Sequence, residues 1–410
     1  MPAPRFTGFE ETTRFAGLKP ANYFWEAGKM GRLKIIFIAG CILAFGTFLC
    51  SGPWAKEKGR VITSGDYFPE YSFPMTLTGS DMEYLGLPQK FFGLVKGDNF
   101  SLKDVKADLI VVEFLNKYCF SCQVQAPVMN QVFSMVQQDP QLKGRVKLIG
   151  IGAGNNEREV GSFKEEKKVP FPIVPDPKFL AYEAIGEPGA TPFTLFIRKT
   201  DSGLLVARTK VGLTRDPQKV LKEMNDSLKA DWNALLKQGG DLSAQRAKAE
   251  KLLLRYKESE LLNKAKESMR SPKWKVLNVA KVTLPGEEEI YVGEIEEGRQ
   301  KSYLFAKLVS RVPTCDVCHA THFFFTFDAK GMIINFLPLQ VTKVDNLPWD
   351  SKEVEQMRQR LVGRSILHPA DFDSQVDAIS SATMTAALIV DSVNKAPALY
   401  EALKNKGYIK

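Results

Sequence analysis

Leu109 to Leu115 is a run of apolar residues interrupted only by Glu113, and its β-branched content predicts a buried strand. From Gln123 onward, Val128, Val132, Met135 and Val136 recur at helical spacing. The alternation continues with a strand at 146–151, a helix at 158–168, strands at 193–197 and 204–211, and a helix at 217–228. Strands interleaved with helices imply an α/β layer structure. From Ala230 to Met269 the pattern is helical and charged, is broken at Gly239-Gly240-Asp241, and carries a stripe of Leu242, Leu252, Leu253, Leu254, Leu261 and Leu262. After Pro272 strand signals return at 274–282, 289–292, 302–309, 323–327 and 332–337, with Asp328-Ala329-Lys330-Gly331 as a hairpin turn. An apolar helix is expected from Ala386 to Val393.

One segment has a different character. Ile35 to Leu49 contains no charged residue and follows Gly31-Arg32-Leu33-Lys34. A bilayer span needs about 17 to 25 residues, a length that Leu33 to Trp54 reaches if Lys34 snorkels to the interface. This segment is therefore expected to be an uncleaved, single-pass membrane anchor. Ile38-Ala39-Gly40-Cys41 is also compatible with lipidation at Cys41, but apolar residues continue beyond it and few precede it. The expected organisation is a tail over 1–32, a membrane anchor over 33–54, a linker over 55–80, an α/β domain over 81–228, a helical connector over 229–272 and an α+β domain over 273–410.

At 410 residues the chain is long enough for two or three domains and a substantial core, and 44% hydrophobic with 25% charged residues reads as globular. Its net charge of +9 is dispersed rather than gathered into a basic tract interleaved with aromatics, which argues against a nucleic-acid partner. A membrane surface or an acidic redox protein suits this balance better.

Cys119-Phe120-Ser121-Cys122 lies between the first predicted strand and its helix. That context points to a redox dithiol. Unpaired amides and the dipole at a helix N-terminus stabilise a thiolate at Cys119, leaving Cys122 as the resolving thiol. Glu113, six residues upstream, is either a buried proton carrier for Cys122 or a solvated strand residue. Thr191-Pro192 precedes a strand, as a cis proline set against the cysteines or as an ordinary trans one.

Over roughly residues 80 to 228, the strand, the C-x-x-C pair, Thr191-Pro192 and the element order resemble the thioredoxin superfamily. The nearest group is the membrane-anchored, extracytoplasmic thiol-disulfide oxidoreductases that serve cytochrome c maturation. The resemblance implies that Cys119 and Cys122 are the redox pair, Glu113 a buried acid and Pro192 a cis proline. Tyr118 stands where that family usually has Trp, and Phe120-Ser121 replaces its more usual Gly-Pro or Pro-Pro. The direction of electron flow is therefore left open.

Two further motifs lie in the C-terminal region. Asp377-Ala378-Ile379-Ser380-Ser381-Ala382-Thr383-Met384-Thr385 opens the last predicted helix with small hydroxyl residues, which suits either a helix cap or a phosphate site. This stretch resembles the FMN-binding domain of the C subunit of sodium-pumping NADH:quinone reductase and the G subunit of Rnf complexes. The resemblance implies FMN esterified to Thr385 by a separate flavin transferase, with Asp377, Ser380, Ala382 and Thr383 completing the signature and Ser381 in place of the family glycine. Cys315-Asp316-Val317-Cys318-His319 matches a c-type haem attachment pattern, with His322 and His368 as further imidazoles. A second dithiol or structural disulfide, and a metal site of Cys315, Cys318, His319 and His322, are the alternatives.

The overall expectation is a thioredoxin-like α/β domain joined to an α+β FMN-binding domain on the periplasmic side of the cell membrane, behind one N-terminal transmembrane helix. Its expected partners are a thiol-disulfide client and a quinol-linked or cytochrome redox protein. A tethered thioredoxin-like assembly module without flavin-coupled turnover is the alternative function.

Overall fold

The computed structural model describes residues 59–88, 99–238 and 241–409. The expected tail, the expected anchor at 33–54 and Cys41 lie outside the described residues. Among the described residues no helix is long and apolar enough to cross a membrane.

The first half opens with a minimal strand pair, β1 (Phe73–Pro74) and β2 (Asn99–Phe100), flanking α1 (Gly79–Leu85). There follow β3 (Leu109–Leu115), α2 (Phe120–Gln138), β4 (Val146–Ala153), α3 (Glu157–Lys167), β5 (Ile173–Asp176), α4 (Leu180–Ala184), β6 (Phe193–Thr200), β7 (Gly203–Val211) and α5 (Pro217–Lys229). The sheet order is β5-β4-β3-β6-β7. β3 pairs parallel with β4 and antiparallel with β6, so β3 is central and buried along its whole length. This is a thioredoxin-like α/β domain. One apolar cluster on one side of the sheet includes Ile110, Val112, Phe114, Phe179 and Tyr182. A second includes Val111 of β3 with Met129, Val132, Phe163 and Met224 from α2, α3 and α5. The alternation of β3 residues between the two clusters follows from the period-two geometry of a strand.

Residues 59–80 of the stretch expected to be a linker are built into this domain. Val61, Ile62, Phe68 and Phe73 are buried in the first cluster. The amides of Ile62 and Phe68 donate to Ile185 O and Leu204 O, each at 2.8 Å. Of the Gly and Pro residues that suggested a linker, Gly65 lies in a turn, Pro74 ends β1 and Gly79 opens α1. β5 escaped the periodicity because it is short, contains Pro175 and lies at the sheet edge, where proline is tolerated.

The connector contains three helices, α6 (Trp232–Gln238), α7 (Ser243–Lys251) and α8 (Glu258–Ser268). Its parts belong to different cores. Ala244 of α7 joins the first domain's cluster, whereas Leu261 and Ala265 of α8 pack on the second sheet.

That sheet is an antiparallel meander of β8 (Lys275–Thr283), β9 (Glu289–Glu297), β10 (Gln300–Arg311), β11 (Thr321–Asp328) and β12 (Ile333–Gln340). Helices α9 (Ser351–Leu361), α10 (Thr383–Asn394) and α11 (Ala396–Asn405) follow it. Phe323, Phe325 and Phe327 pack with Met357, Ile389 and Leu403, while Phe324 points to the α8 side with Tyr291 and Leu304. A strand covered on both faces reads as a continuous apolar run, which explains Phe323-Phe324-Phe325. α9 is highly charged apart from Val354, Met357 and Leu361, which pack on this core at helical spacing. Its start is marked by a capping box of Asp350 and Glu353.

Candidate functional site

Cys119 is the N-cap of α2, in extended conformation, and no side chain caps that helix end. The first amides of α2 therefore face the Cys119 sulfur, the arrangement that favours a thiolate. The Cys119 thiol is pulled below its ordinary value, chiefly by a hydrogen bond from Cys122, with Thr191 and the Cys122 amide helping. Burial and the Asp316 carboxylate act in opposition. Burial instead pushes the Cys122 thiol up, and proximity to Cys119 reinforces the rise. The Asn116 amide lies 3.4 Å from the Cys122 sulfur, and the Cys119 sulfur lies 3.2 Å from Thr191 O. The Thr191–Pro192 peptide bond is cis. Both cysteines are free thiols and buried.

Glu113 is buried on β3 and accepts from Gln125 Nε2 at 2.8 Å; the Gln125 oxygen is in turn held by the Thr214 amide at 2.7 Å. Burial, then the nearby Cys119 charge, raises the Glu113 carboxyl to about 7, with the Gln125 bond pulling it down. A carboxyl poised there can give or take a proton near neutral pH.

The shift also has a stability consequence. An acid whose native pKa is about 7 against a reference of 4.5 contributes stability that is complete below 4.5 and is lost as pH rises through 7. The loss is on the order of 3 kcal/mol. Glu113→Gln is expected to remove it, so urea midpoints of wild type and variant should diverge between pH 5 and pH 8, with the variant the more stable at pH 8. Asp176 and Asp391, both raised to about 6 by burial, contribute equally to the two proteins and cancel in the difference. Parallel midpoints would show that Glu113 is not held neutral.

The second cysteine pair is a disulfide, Cys315–Cys318. Its loop leaves β10 and lies against the thioredoxin-like domain, and Cys315 belongs to the same buried cluster as Cys119 and Cys122. Ser121 Oγ donates to the two carboxylate oxygens of Asp316 at 3.0 and 3.2 Å. Thr191 Oγ1 donates to Thr314 O. Lys251 Nζ bridges Gly189 O and Asp316 O, each at 2.8 Å.

Of the readings left open for this motif, the disulfide is the one present in the structure. His319 is exposed, and only its amide is engaged, donating to Asn346 Oδ1 at 2.8 Å. The His322 ring is buried on β11, where Nδ1 meets Ser310 Oγ at 2.9 Å and burial lowers its pKa. Among the described residues no group of three or more His, Cys, Asp or Glu is arranged to hold a metal ion.

The Asp377–Thr385 motif forms a loop running into α10. Ser381, standing at the family glycine position, has φ +59, the left-handed conformation that glycine adopts most readily. Ala382 is the N-cap of α10, and no side chain caps its first turn. Thr385 Oγ1 donates to Thr342 O at 2.9 Å, and Arg360 grips the carbonyls of Asp377 and Ala378 at 2.8 and 3.1 Å. The Asp377 carboxylate is turned back on its own loop, accepting from the Asp373 amide at 3.0 Å. Ser380 and Ser381 are exposed, and Thr383 is half-buried. A left-handed turn, small side chains and an uncapped helix start fit a phosphate. Esterification of Thr385 would remove the proton it donates to Thr342.

The motif and the disulfide are neighbours. Val344 N donates to Ser381 O at 2.9 Å, and Asn346 Nδ2, two residues on, donates to Val317 O at 2.9 Å. Met384 packs against the buried cluster that holds Cys119, Cys122 and Cys315. Asp316, Ser121 and Lys251 carry no sequence signal, because each acts through a partner distant in the chain.

No curated protein matches the chain. Among solved structures it is similar to Mycobacterium tuberculosis AhpC, at 17% identity and TM-score 0.30 over 42% of this chain and 99% of that one. It is also similar to StoA from Bacillus subtilis, at 20% identity and TM-score 0.26 over 38% and 98%. A thioredoxin-family thiol:disulfide interchange protein from Chlorobium tepidum gives 17% identity and TM-score 0.27 over 41% and 98%. Residues 86–201 match the model of the AhpC/TSA family, and the sheet order described above is that of a thioredoxin-like α/β domain.

Proposed function

We propose that the chain is a membrane-anchored, extracytoplasmic thiol-disulfide oxidoreductase whose thioredoxin-like dithiol works beside an FMN-binding electron-transfer domain. The observation that carries the thiol chemistry is the asymmetry of the pair. Cys119 is held toward its thiolate at the start of α2, and Cys122 is held as a thiol behind it. Cys119 attacks a client disulfide, Cys122 resolves the mixed disulfide, and Glu113 holds or moves the proton near the pair.

In the second domain Thr385 would bear the flavin phosphate, with Thr383, Ser380, Ser381, Ala382 and Asp377 shaping the loop around it. FMN bound there would supply one-electron as well as two-electron exchange with a partner, whereas a dithiol exchanges electrons only in pairs. A flavin transferase, a quinol-linked or cytochrome partner in the membrane and a thiol-disulfide client complete the proposal.

The test is a visible spectrum of full-length protein, denatured and dialysed, from a host with a flavin transferase, together with capture of clients by Cys122→Ala. A flavin band that survives denaturation and disappears in Thr385→Ala, and client disulfides formed through Cys119, are expected. A colourless chain that also binds no free FMN would remove the flavin part. Absence of mixed disulfides, with wild type inert toward a peptide disulfide, would remove the thiol part.

A further inference from the structure

The two cysteine pairs lie 193 or more residues apart in sequence yet share one buried cluster. Cys119 has 0% of its surface exposed, although its neighbour Phe120 is 74% exposed. An outside client therefore cannot reach the Cys119 sulfur while the 312–318 loop is seated. The seating is specific at three points: Ser121 to the Asp316 carboxylate, Thr191 to Thr314 O, and Lys251 clamped between Gly189 O and Asp316 O. Two of the three contacts come from residues beside the reactive chemistry, one inside the C-x-x-C and one preceding Pro192. Glycines allow the approach: a Cβ on Gly212 would lie 3.3 Å from Asp316 Oδ2, and one on Gly189 would lie 3.3 Å from Val312 Cβ. The outer part of the same loop faces solvent. Val317 is 71% exposed and Cys318 is half-buried at the edge of the cluster, whereas Cys315 is buried within the cluster that holds the dithiol.

We infer that the Cys315–Cys318 disulfide is the in-chain redox partner of the Cys119–Cys122 dithiol, its loop seated on the reactive face as a resident substrate. The inference rests on the reading of Cys119 and Cys122 as an exchanging pair and names the substrate of that pair. The Cys119 thiolate attacks Cys315 Sγ, forming a Cys119–Cys315 bond as the Cys315–Cys318 bond breaks and its electron pair leaves on Cys318, which takes up a proton. Cys122 then loses its proton and attacks Cys119 Sγ, expelling Cys315 as a thiolate that is protonated in turn. Two electrons and two protons pass from one pair to the other, and no outside oxidant or reductant enters. The reduced Cys315/Cys318 pair, with Cys318 toward solvent, is then the outlet to a second redox partner.

The experiment uses the full chain carrying Cys122→Ala and Cys318→Ala, oxidised with diamide, alkylated and mapped by non-reducing mass spectrometry. The expected result is a monomer in which Cys119 is linked to Cys315, formed at a rate unchanged by tenfold dilution. Linkage through Cys318 in the Cys122→Ala, Cys315→Ala variant should be at least tenfold slower, and equal rates would overturn the choice of Cys315. Cys119 and Cys315 both remaining free to alkylate would overturn the relay. If the paired substitutions prevent folding, Cys119→Ser gives a second reading. Reduction of Cys315–Cys318 by dithiothreitol should then slow at least tenfold relative to wild type, and an unchanged rate overturns the relay. A wild-type chain that exchanges with peptide disulfides but forms no Cys119–Cys315 link would refute the relay and leave the oxidoreductase reading intact. A chain inert toward peptide disulfides that still forms the link would do the reverse.

Discussion

Cys119→Ser is expected to lower dithiothreitol-driven turnover of a peptide disulfide by at least about a thousandfold in kcat/KM, to near the uncatalysed background. The hydroxyl that replaces the sulfur is not ionised at neutral pH, so the same helix N-terminus has no anion to stabilise. Cys122 cannot take over, because burial holds its proton and no helix terminus faces its sulfur as α2 faces Cys119. The loss is meaningful only if the fold is intact, and the near-isosteric serine keeps the buried volume. Cys122→Ser should behave differently, retaining the first attack and accumulating mixed disulfide. Retention of more than a tenth of wild-type turnover in Cys119→Ser would move the chemistry to the Cys315–Cys318 pair and refute the role given to Cys119.

The local chemistry of this site is legible in sequence because its signals are local. The strand before Cys119, the two-residue gap to Cys122 and the helical spacing after it all lie within thirty residues or so, where periodicity and capping rules apply. The same holds for the hairpin at Asp328–Gly331 and for the small-residue opening of α10. What could not be read is whatever depends on docking. Ser121 and Asp316 are separated by 195 positions, and nothing near either one marks the other. The spacing of Cys315-Asp316-Val317-Cys318-His319 left haem, disulfide and metal readings open, and its place in the same buried cluster as Cys119 and Cys122 is a tertiary fact that spacing does not carry. The stretch from Val61 to Phe73 was obscured for a related reason: its anchors are single apolar residues between turns, and only the sheet they complete gives them a role. Ser381 shows the opposite relation, where a serine adopts the left-handed backbone that glycine adopts most readily and the turn is a local feature.

The relay geometry depends on how β10 is fixed at its end, and Arg311, four residues before Cys315, is the fixing point. Its guanidinium reaches Glu183 at 3.2 Å and Glu187 on the thioredoxin-like domain, and Asp391 on α10 at 2.9 Å. Lys395 joins the same group through Asp391 at 2.8 Å and through Glu183. Burial works against the Arg311 charge, but the Glu187 and Asp391 carboxylates more than offset it, so its pKa rises. Removing the guanidinium leaves three acids facing one lysine, with Asp391 only 9% exposed. An uncompensated buried charge of this kind costs about 3 kcal/mol or more. Arg311→Ala is therefore expected to lower stability by that amount at pH 8 and to expose Cys119 to alkylation, because the loop loses its anchor. The penalty should shrink at pH 5, where the raised Asp391 carboxyl takes up a proton and the repulsion eases. Urea unfolding of Arg311→Ala, Asp391→Asn and the double variant at both pH values gives the coupling directly. A coupling below about 0.5 kcal/mol at pH 8 would show the pair to be independent, and the orientation of the Cys315 loop would then rest on Lys251, Ser121, Thr191 and Asn346.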